Sequence, residues 1–228
     1  MLMEGIKMNQ KVTILVMILL FLSVILTMGC INVDDAIEYQ VVFTASWSEE
    51  THPDDFPSNP HFSGIIGASH NANVSFWQVG SLASPGIKNM AETGSKNPLT
   101  SEISGAILGD NALALISGDG INPSPGQVSE TFIVSKEYPL VSLVTMIAPS
   151  PDWFVGVDSL NLSENGVFVD EKTVILYAYD AGTDSGTTYT SPDEITNPPE
   201  LIFKIEGYPF YYNEELVPIG TFTFTKIN

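Results

Sequence analysis

Arginine is absent from this 228-residue chain, and its eight lysines stand against 27 acids, a formal net charge of −19. So few cations cannot build the basic face that phosphate neutralisation needs, which excludes nucleic acid as a partner. Cysteine is almost absent as well. Cys30 stands alone, so neither an intramolecular disulfide nor a cysteine-based zinc cluster can form. Charged residues make up only 15% of the chain against 44% hydrophobic. That balance excludes a disordered polyelectrolyte and supplies a real core. The excess of acid points instead to solubility, cation binding or a salty exterior.

One long apolar run is present. Residues 12–28 read VTILVMILLFLSVILTM, with Lys7 and Lys11 before them and Asp34 and Asp35 after. This is a short positive region followed by a stretch near the lower limit for a membrane span. Cys30 follows directly behind Gly29, and Leu26-Thr27-Met28-Gly29-Cys30 resembles a lipoprotein signal, with Cys30 as the lipidated residue. Thr27 occupies the place where such signals carry leucine. The alternatives are an uncleaved signal anchor and plain secretion. All three place the rest of the chain outside the cytoplasm, and the distribution of lysines agrees. The expected organisation is a signal or anchor over 1–30, a short linker over 31–37, and one domain over 38–228.

After the linker the sequence alternates short β-rich segments with turn chemistry. Tyr39–Trp47, Val74–Gln78, Gln127–Ser135, Leu140–Ala148, Val167–Val169, Thr173–Tyr179, Leu201–Ile205 and Gly220–Ile227 read as strands. Clusters such as HPDDFPSNPH, SGDGINPSPG and SPDEITNPP separate them. Many short strands with such turns predict an all-β fold, an antiparallel sandwich or a barrel. Ser84–Thr93 reads as a short helix with Ser84 as N-cap and Pro85 in its first turn. Pro98–Leu108 is a second, weaker helical stretch.

Catalytic patterns find little support. His52, His61 and His70 form no HExxH, and neither a P-loop nor a dinucleotide fingerprint occurs. His52 and His61 lie in Pro-rich loops, where a surface or turn role is the default, and His70 reads as a structural hydrogen-bonder. Ser185 lies in an Asp-Ser-Gly string like that of a protease nucleophile loop, but nothing around any histidine matches a partner motif. The acids are numerous enough that a glycosidase-like pair stays open. More informative are two acidic loops. In Ala148–Phe154 two prolines stiffen the chain around Asp152. In Tyr179–Gly186 two carboxylates, Asp180 and Asp184, flank a glycine turn. Calcium takes several hard oxygen ligands of this kind, and plain turn capping is the competing reading. Trp47, Trp77 and Trp153 read as packing residues. The run Tyr208–Tyr212 is either a packed corner or an exposed patch. Asn73-Val74-Ser75 and Asn161-Leu162-Ser163 are glycosylation sequons.

The string VSLVTMIAPSPDWFVGVDSL, followed by YDAGTDSG, resembles the spondin N-terminal domain of the extracellular matrix proteins F-spondin and mindin. Phe43–Trp47, His52-Pro53, Phe56-Pro57, His61-Phe62-Ser63, His70-Asn71, Trp77, Ala83–Glu92 and Tyr138–Leu140 carry the likeness along the chain, from Glu38 to Lys226. The resemblance implies a calcium-binding β-sandwich similar to C2 domains. It places the metal on Asp152, Asp180 and Asp184, with nearby carbonyls completing the shell. The extra cysteines of vertebrate members are missing here. The expected function is therefore a non-enzymatic cell-surface binding or adhesion module, stabilised by calcium and anchored at the outer face of the membrane. Its partner would be a cell-surface or extracellular protein or glycan. A surface enzyme acting on glycans and a structural envelope protein with an incidental metal are the alternatives.

Overall fold

The computed structural model describes residues 36–227. Fifteen strands are formed among them. A four-stranded antiparallel sheet comprises β1 (Ile37–Ala45), β5 (Gly126–Val134), β10 (Glu171–Leu176) and β15 (Gly220–Lys226), in the order β10-β15-β1-β5. The larger sheet comprises β3 (Ile66–His70), β4 (Ala112–Ser117), β6 (Leu140–Ala148), β7 (Trp153–Asn161), β11 (Tyr179–Asp180) and β12 (Phe203–Lys204). Its order is β12-β11-β7-β6-β3-β4, with β2 (His61–Phe62) added on β6. Two short hairpins, β8 (Ser163–Glu164) with β9 (Val167–Phe168) and β13 (Tyr211–Tyr212) with β14 (Glu215–Leu216), complete the set. The fold is an all-β antiparallel sandwich with two short helices.

Side-chain alternation explains the layers. Along β1, Tyr39, Val41, Phe43 and Ala45 are buried, and along β15 Phe222 and Phe224 meet them. These residues face Val141, Leu143, Val155 and Trp153 of the larger sheet, in one core between the sheets. Residues of strands β6 and β7 on the other face are buried too, because two helices cover it. Helix α1 (Pro85–Thr93) contributes Ile87, Met90 and Ala91, and α2 (Leu99–Leu108) contributes Leu99 and Ile103. They pack on Ile66, Val144, Met146 and Phe154. This double coverage is why β6 reads as a near-continuous apolar run rather than an alternating one, broken only by Ser142 and Thr145.

The helices form where expected. The Ser84 hydroxyl accepts from the Ile87 N–H at 3.1 Å, and Pro85 opens α1. Glu102 of α2 reaches the same end. Its carboxylate accepts from the Gly86 N–H and the Ser84 hydroxyl, each at 2.7 Å. A carboxylate from a second helix thus satisfies orphan donors at a positive helix end.

Some expectations change. Val74–Gln78 is not a strand; Trp77 buries its ring against Phe154, and its indole N–H donates to the Val157 carbonyl. Strands β3 and β4 were not legible as such. His52 is not a surface residue but 1% exposed, its ring edge-on to Phe210. The run Tyr208–Tyr212 divides: Phe210 is buried, while Tyr208, Tyr211 and Tyr212 are exposed.

Candidate functional site

Strand pairing joins the two acidic loops. Asp152 immediately precedes Trp153, the first residue of β7, and Trp153 pairs in register with Asp180, the last residue of β11. The Ala181 N–H continues the ladder by donating to the Asp152 carbonyl at 3.2 Å. Carboxylates far apart in sequence therefore share one end of the larger sheet.

Each carboxylate organises the chain around it. Asp152 is fully buried. Its Oδ2 accepts from the N–H groups of Thr183 (2.7 Å) and Asp184 (3.1 Å) and from the Thr183 hydroxyl (3.2 Å). Its Oδ1 is equally buried and has no partner in the protein. Asp180 accepts from the Gly182 N–H at 2.7 Å through Oδ1 and from the Trp153 indole at 3.2 Å through Oδ2. Asp184 accepts from Gly186 N–H and Glu194 N–H, each at 2.8 Å, one on each oxygen. Gly182 between the two loop acids has φ +72°, and a Cβ there would meet the Glu200 carbonyl oxygen at 2.4 Å. Only glycine fits that turn.

A returning segment backs the second loop. Ser185 N–H donates to Glu194 O, Thr196 N–H to Thr183 O, and Glu200 N–H to Gly182 O, at 2.7, 3.0 and 2.8 Å. Strand β12 then pairs with β11. Beneath lies an aromatic floor. Trp153 packs on Tyr189 and Phe210 with ring centroids 5.3 Å apart in each case, and Trp47 donates to the Tyr189 hydroxyl at 3.2 Å.

The electrostatics are those of uncompensated buried charge. Burial first, and then the Asp152 carboxylate, push the Asp180 carboxyl up to about 7; the Gly182 N–H and the Trp153 indole pull the other way. Burial also raises Asp152, opposed by the donors from Thr183 and Asp184, with the Asp184 charge adding to the rise. Ion pairs among the described residues, Lys88 with Glu92 and Lys172 with Glu164, involve none of these acids. Among the described residues no group of three or more His, Cys, Asp or Glu has metal-holding spacing. A cation here would therefore draw on main-chain or hydroxyl oxygens as well. The buried, unpartnered Asp152 Oδ1 is the observation that fits one, because an unpaired charged oxygen in the interior costs several kcal/mol, or about 1–3 even when neutral.

Other residues singled out in the sequence lie apart. Ser185 is exposed and bonds to the Thr196 hydroxyl at 2.8 Å, with no histidine on it. His70 is buried, 2.9 Å from the Ser142 hydroxyl, the hydrogen-bonder expected. Trp47, Trp77 and Trp153 are all core residues. Cys30 and the apolar run 12–28 fall outside the described residues. Within the described residues no helix is long and apolar enough to cross a membrane. Sequence reasoning read Leu201–Ile205 as a strand but missed Thr183 and the backing of the loop by residues 194–200; Thr183 lay in view, between Asp180 and Asp184.

The amino-acid sequence is similar to those of known proteins. The chain is 35% identical over 204 residues to Spondin-2 of Rattus norvegicus, covering 83% of this chain and 61% of that protein. Homo sapiens Spondin-2 is 34% identical over 203 residues, with the same coverage. Rattus norvegicus Spondin-1 is 40% identical over 187 residues, 76% of this chain and 23% of that protein. The chain thus spans under two thirds of the length of these relatives. The Spondin_N family model matches residues 37–216, from the first strand of the sandwich through both acidic loops to β14, and on that match the chain belongs to the Spondin_N family.

Proposed function

We propose that this chain is a non-enzymatic extracellular binding or adhesion module, exported and anchored at the outer face of the membrane, whose two acidic loops are joined by calcium. The observation that carries the metal reading is the fully buried Asp152 with its unpartnered Oδ1, next to an Asp180 that burial and Asp152 push up to about 7. Asp152, Asp180 and Asp184 would hold the ion, with the Thr183 hydroxyl and loop carbonyls as further hard oxygens. Bound calcium supplies the positive charge that the cluster lacks. The protein's own contribution is to fix the acids: Asp152 through three donors, Asp180 through Gly182 and Trp153, and Asp184 through Gly186 and Glu194.

A surface suited to a partner adjoins the site. Asp180 pairs with Phe203, and Leu201 bridges to Leu82. Residues directly opposite, or two apart on one strand, share a face. Leu82, Leu201 and Phe203 are all exposed, and Phe203 lies directly opposite Asp180. Ordering of the 180–184 loop would set the position of this apolar strip, and an exposed apolar strip beside a fixed loop suits a protein partner. The anchor rests on the signal-like sequence before Asn32.

The test is a thermal melt of the full chain with calcium and with chelator, beside Asp152→Asn. The reading requires calcium to raise Tm in the parent and not in the variant. For one site, the gain is about 2.7 kcal/mol at a hundredfold excess of free ion over Kd. Equal shifts in both proteins, or none in either at millimolar calcium, would refute it.

A further inference from the structure

We infer that Asn73 carries an N-linked glycan in the exported protein, while Asn161, which has the same sequon, does not. The inference rests on the export reading above. Both sequences satisfy the Asn-x-Ser rule, with Val74 and Leu162 in the middle place. The fold separates them.

Asn73 lies in the turn after β3, outside any strand or helix, and Asn73 and Ser75 are both exposed. The Asn73 side chain makes no hydrogen bond within the described residues. The turn beneath it is fixed. Asn71 Oδ1 accepts from the Asn73 N–H at 2.9 Å, and Asn71 Nδ2 donates to the Asp110 carbonyl at 3.1 Å. A transferase that grips an acceptor in an extended groove needs three successive residues it can lift from the surface. Residues 73–75 have no strand partner to lose.

Asn161 is exposed as well, but the backbone of residues 161–163 is held by pairing and Leu162 is buried. Asn161 pairs with Leu140 at the end of β7, and Ser163 pairs with Phe168. Leu162 is fully buried; its N–H donates to the Pro139 carbonyl and its carbonyl accepts from Val169. Asn161 Oδ1 accepts from the Ser163 N–H at 2.8 Å, and its main-chain carbonyl accepts from Lys172. Presenting this sequon would mean unzipping β8 and extracting Leu162 from the core between the sheets.

The chemistry needs one co-reactant, a lipid-linked oligosaccharide. The Asn73 amide nitrogen attacks the anomeric carbon and forms a C–N bond. The bond from that carbon to the lipid phosphate oxygen breaks, the phosphate leaves with the electron pair, and the amide proton passes to a carboxylate of the transferase. No oxidation or reduction occurs.

The experiment has two arms, both with the full chain. In the first, the chain and its Asn73→Gln and Asn161→Gln variants are recovered from the cells that export it, and their intact masses and glycopeptides are read. A glycan on Asn73, lost in Asn73→Gln and kept in Asn161→Gln, is the expected result. Bare Asn73 on a chain whose signal has been processed overturns the glycan and leaves export standing. Bare Asn73 on an unprocessed chain that a protease added outside the cell cannot reach overturns both; if the protease reaches it, the glycan alone is overturned. In the second arm, folded protein is offered to a single-subunit oligosaccharyltransferase with lipid-linked oligosaccharide. Asn73 should be modified and Asn161 only after denaturation. Modification of Asn161 in the folded protein overturns the structural basis. Unchanged melting of Asn73→Gln separates loss of the acceptor from loss of fold.

Discussion

Trp153 donates its indole N–H to Asp180 Oδ2 at 3.2 Å, across a pair of strands that places the two residues in direct register. Its ring is 2% exposed and packs on Tyr189 and Phe210. A buried indole bonded to a carboxylate senses the charge on that carboxylate. Calcium should therefore change tryptophan emission in the full chain, and chelator should reverse it. Trp153→Phe should remove the response while Trp47 and Trp77 still fluoresce. An undiminished response in that variant would show that the ion binds elsewhere.

Asp152→Ala and Asp152→Asn should differ in the absence of metal. Alanine strands the N–H groups of Thr183 and Asp184, which Asp152 now satisfies, at a cost of about 1–3 kcal/mol per buried unpaired donor. Asparagine keeps an acceptor for both and removes a buried charge. Denaturant unfolding in chelator should show a clear loss for alanine and little or none for asparagine, with neither variant responding to calcium.

Gly182→Ala tests the loop itself. Its φ of +72°, and a Glu200 carbonyl oxygen only 2.4 Å from where the added methyl would sit, leave no room for a side chain. The left-handed conformation alone costs about 1–2 kcal/mol for a residue with a Cβ, and the collision adds to it. The expected outcome is a lower Tm and weaker calcium binding together. A variant as stable as the parent would mean that the turn reorganises freely.

His52 and Asp180 impose opposite pH dependence in chelator. Burial holds His52 at about 4 against an ordinary 6.5, with the Val217 carbonyl opposing. Its contribution to stability is full above pH 6.5 and is lost as pH falls towards 4. Asp180 stands at about 7 against roughly 3.9 unfolded. Its protonated form favours the fold below about 3.9, and that contribution is lost as pH rises to 7. His70 acts in the same sense as His52 and Asp152 in the same sense as Asp180. Between pH 4 and 6.5, Tm of Asp180→Asn minus Tm of His52→Gln should therefore climb steadily. A constant difference would contradict both assignments.

Glu102→Ala should loosen α1 from the sandwich. The substitution leaves the Gly86 N–H and the Ser84 hydroxyl without their acceptor, for a loss of about 2 kcal/mol, as for hydrogen bonds to a charged group. Glu102→Gln keeps one acceptor oxygen and should recover part of it. Hydrogen exchange at Gly86 and Ile87 reads the effect directly.

Some of this molecule is legible in its sequence alone. The apolar run of β6, the Ser84 cap and the burial of the three tryptophans follow from composition and spacing. Strand β3 was hidden because Ile66-Gly67-Ala68-Ser69-His70 looks like a loop. Its small residues answer a packing need, since a Cβ at Gly67 would lie 1.9 Å from the Ser142 carbonyl oxygen. Val74–Gln78 misled in the reverse sense: its aromatic rings serve the core, but its backbone pairs with no strand. The acids were conspicuous as types. Their mutual placement was not, because it depends on the ladder between 178–186 and 194–205, and a Pro-rich stretch conceals that pairing. His52 looked like a turn residue because its neighbours are polar, and only the distant Phe210 shows that the ring is enclosed.

Strand β1 lies between β5 and β15, with seven residues of Tyr39–Ala45 matched to Gly220–Lys226. The earliest part of the domain to be synthesised thus finds its last neighbour only when the final strand has emerged. Long-range closure of this kind makes folding slow and late. A chain passing through a secretion channel amino end first would keep the β1–β15 seam open until its release, while the local β6–β7 and β8–β9 pairs that hold residues 161–163 can form before it. The open seam is the loose state a narrow channel requires, so the topology that staples the domain shut afterwards also delays closure during transit.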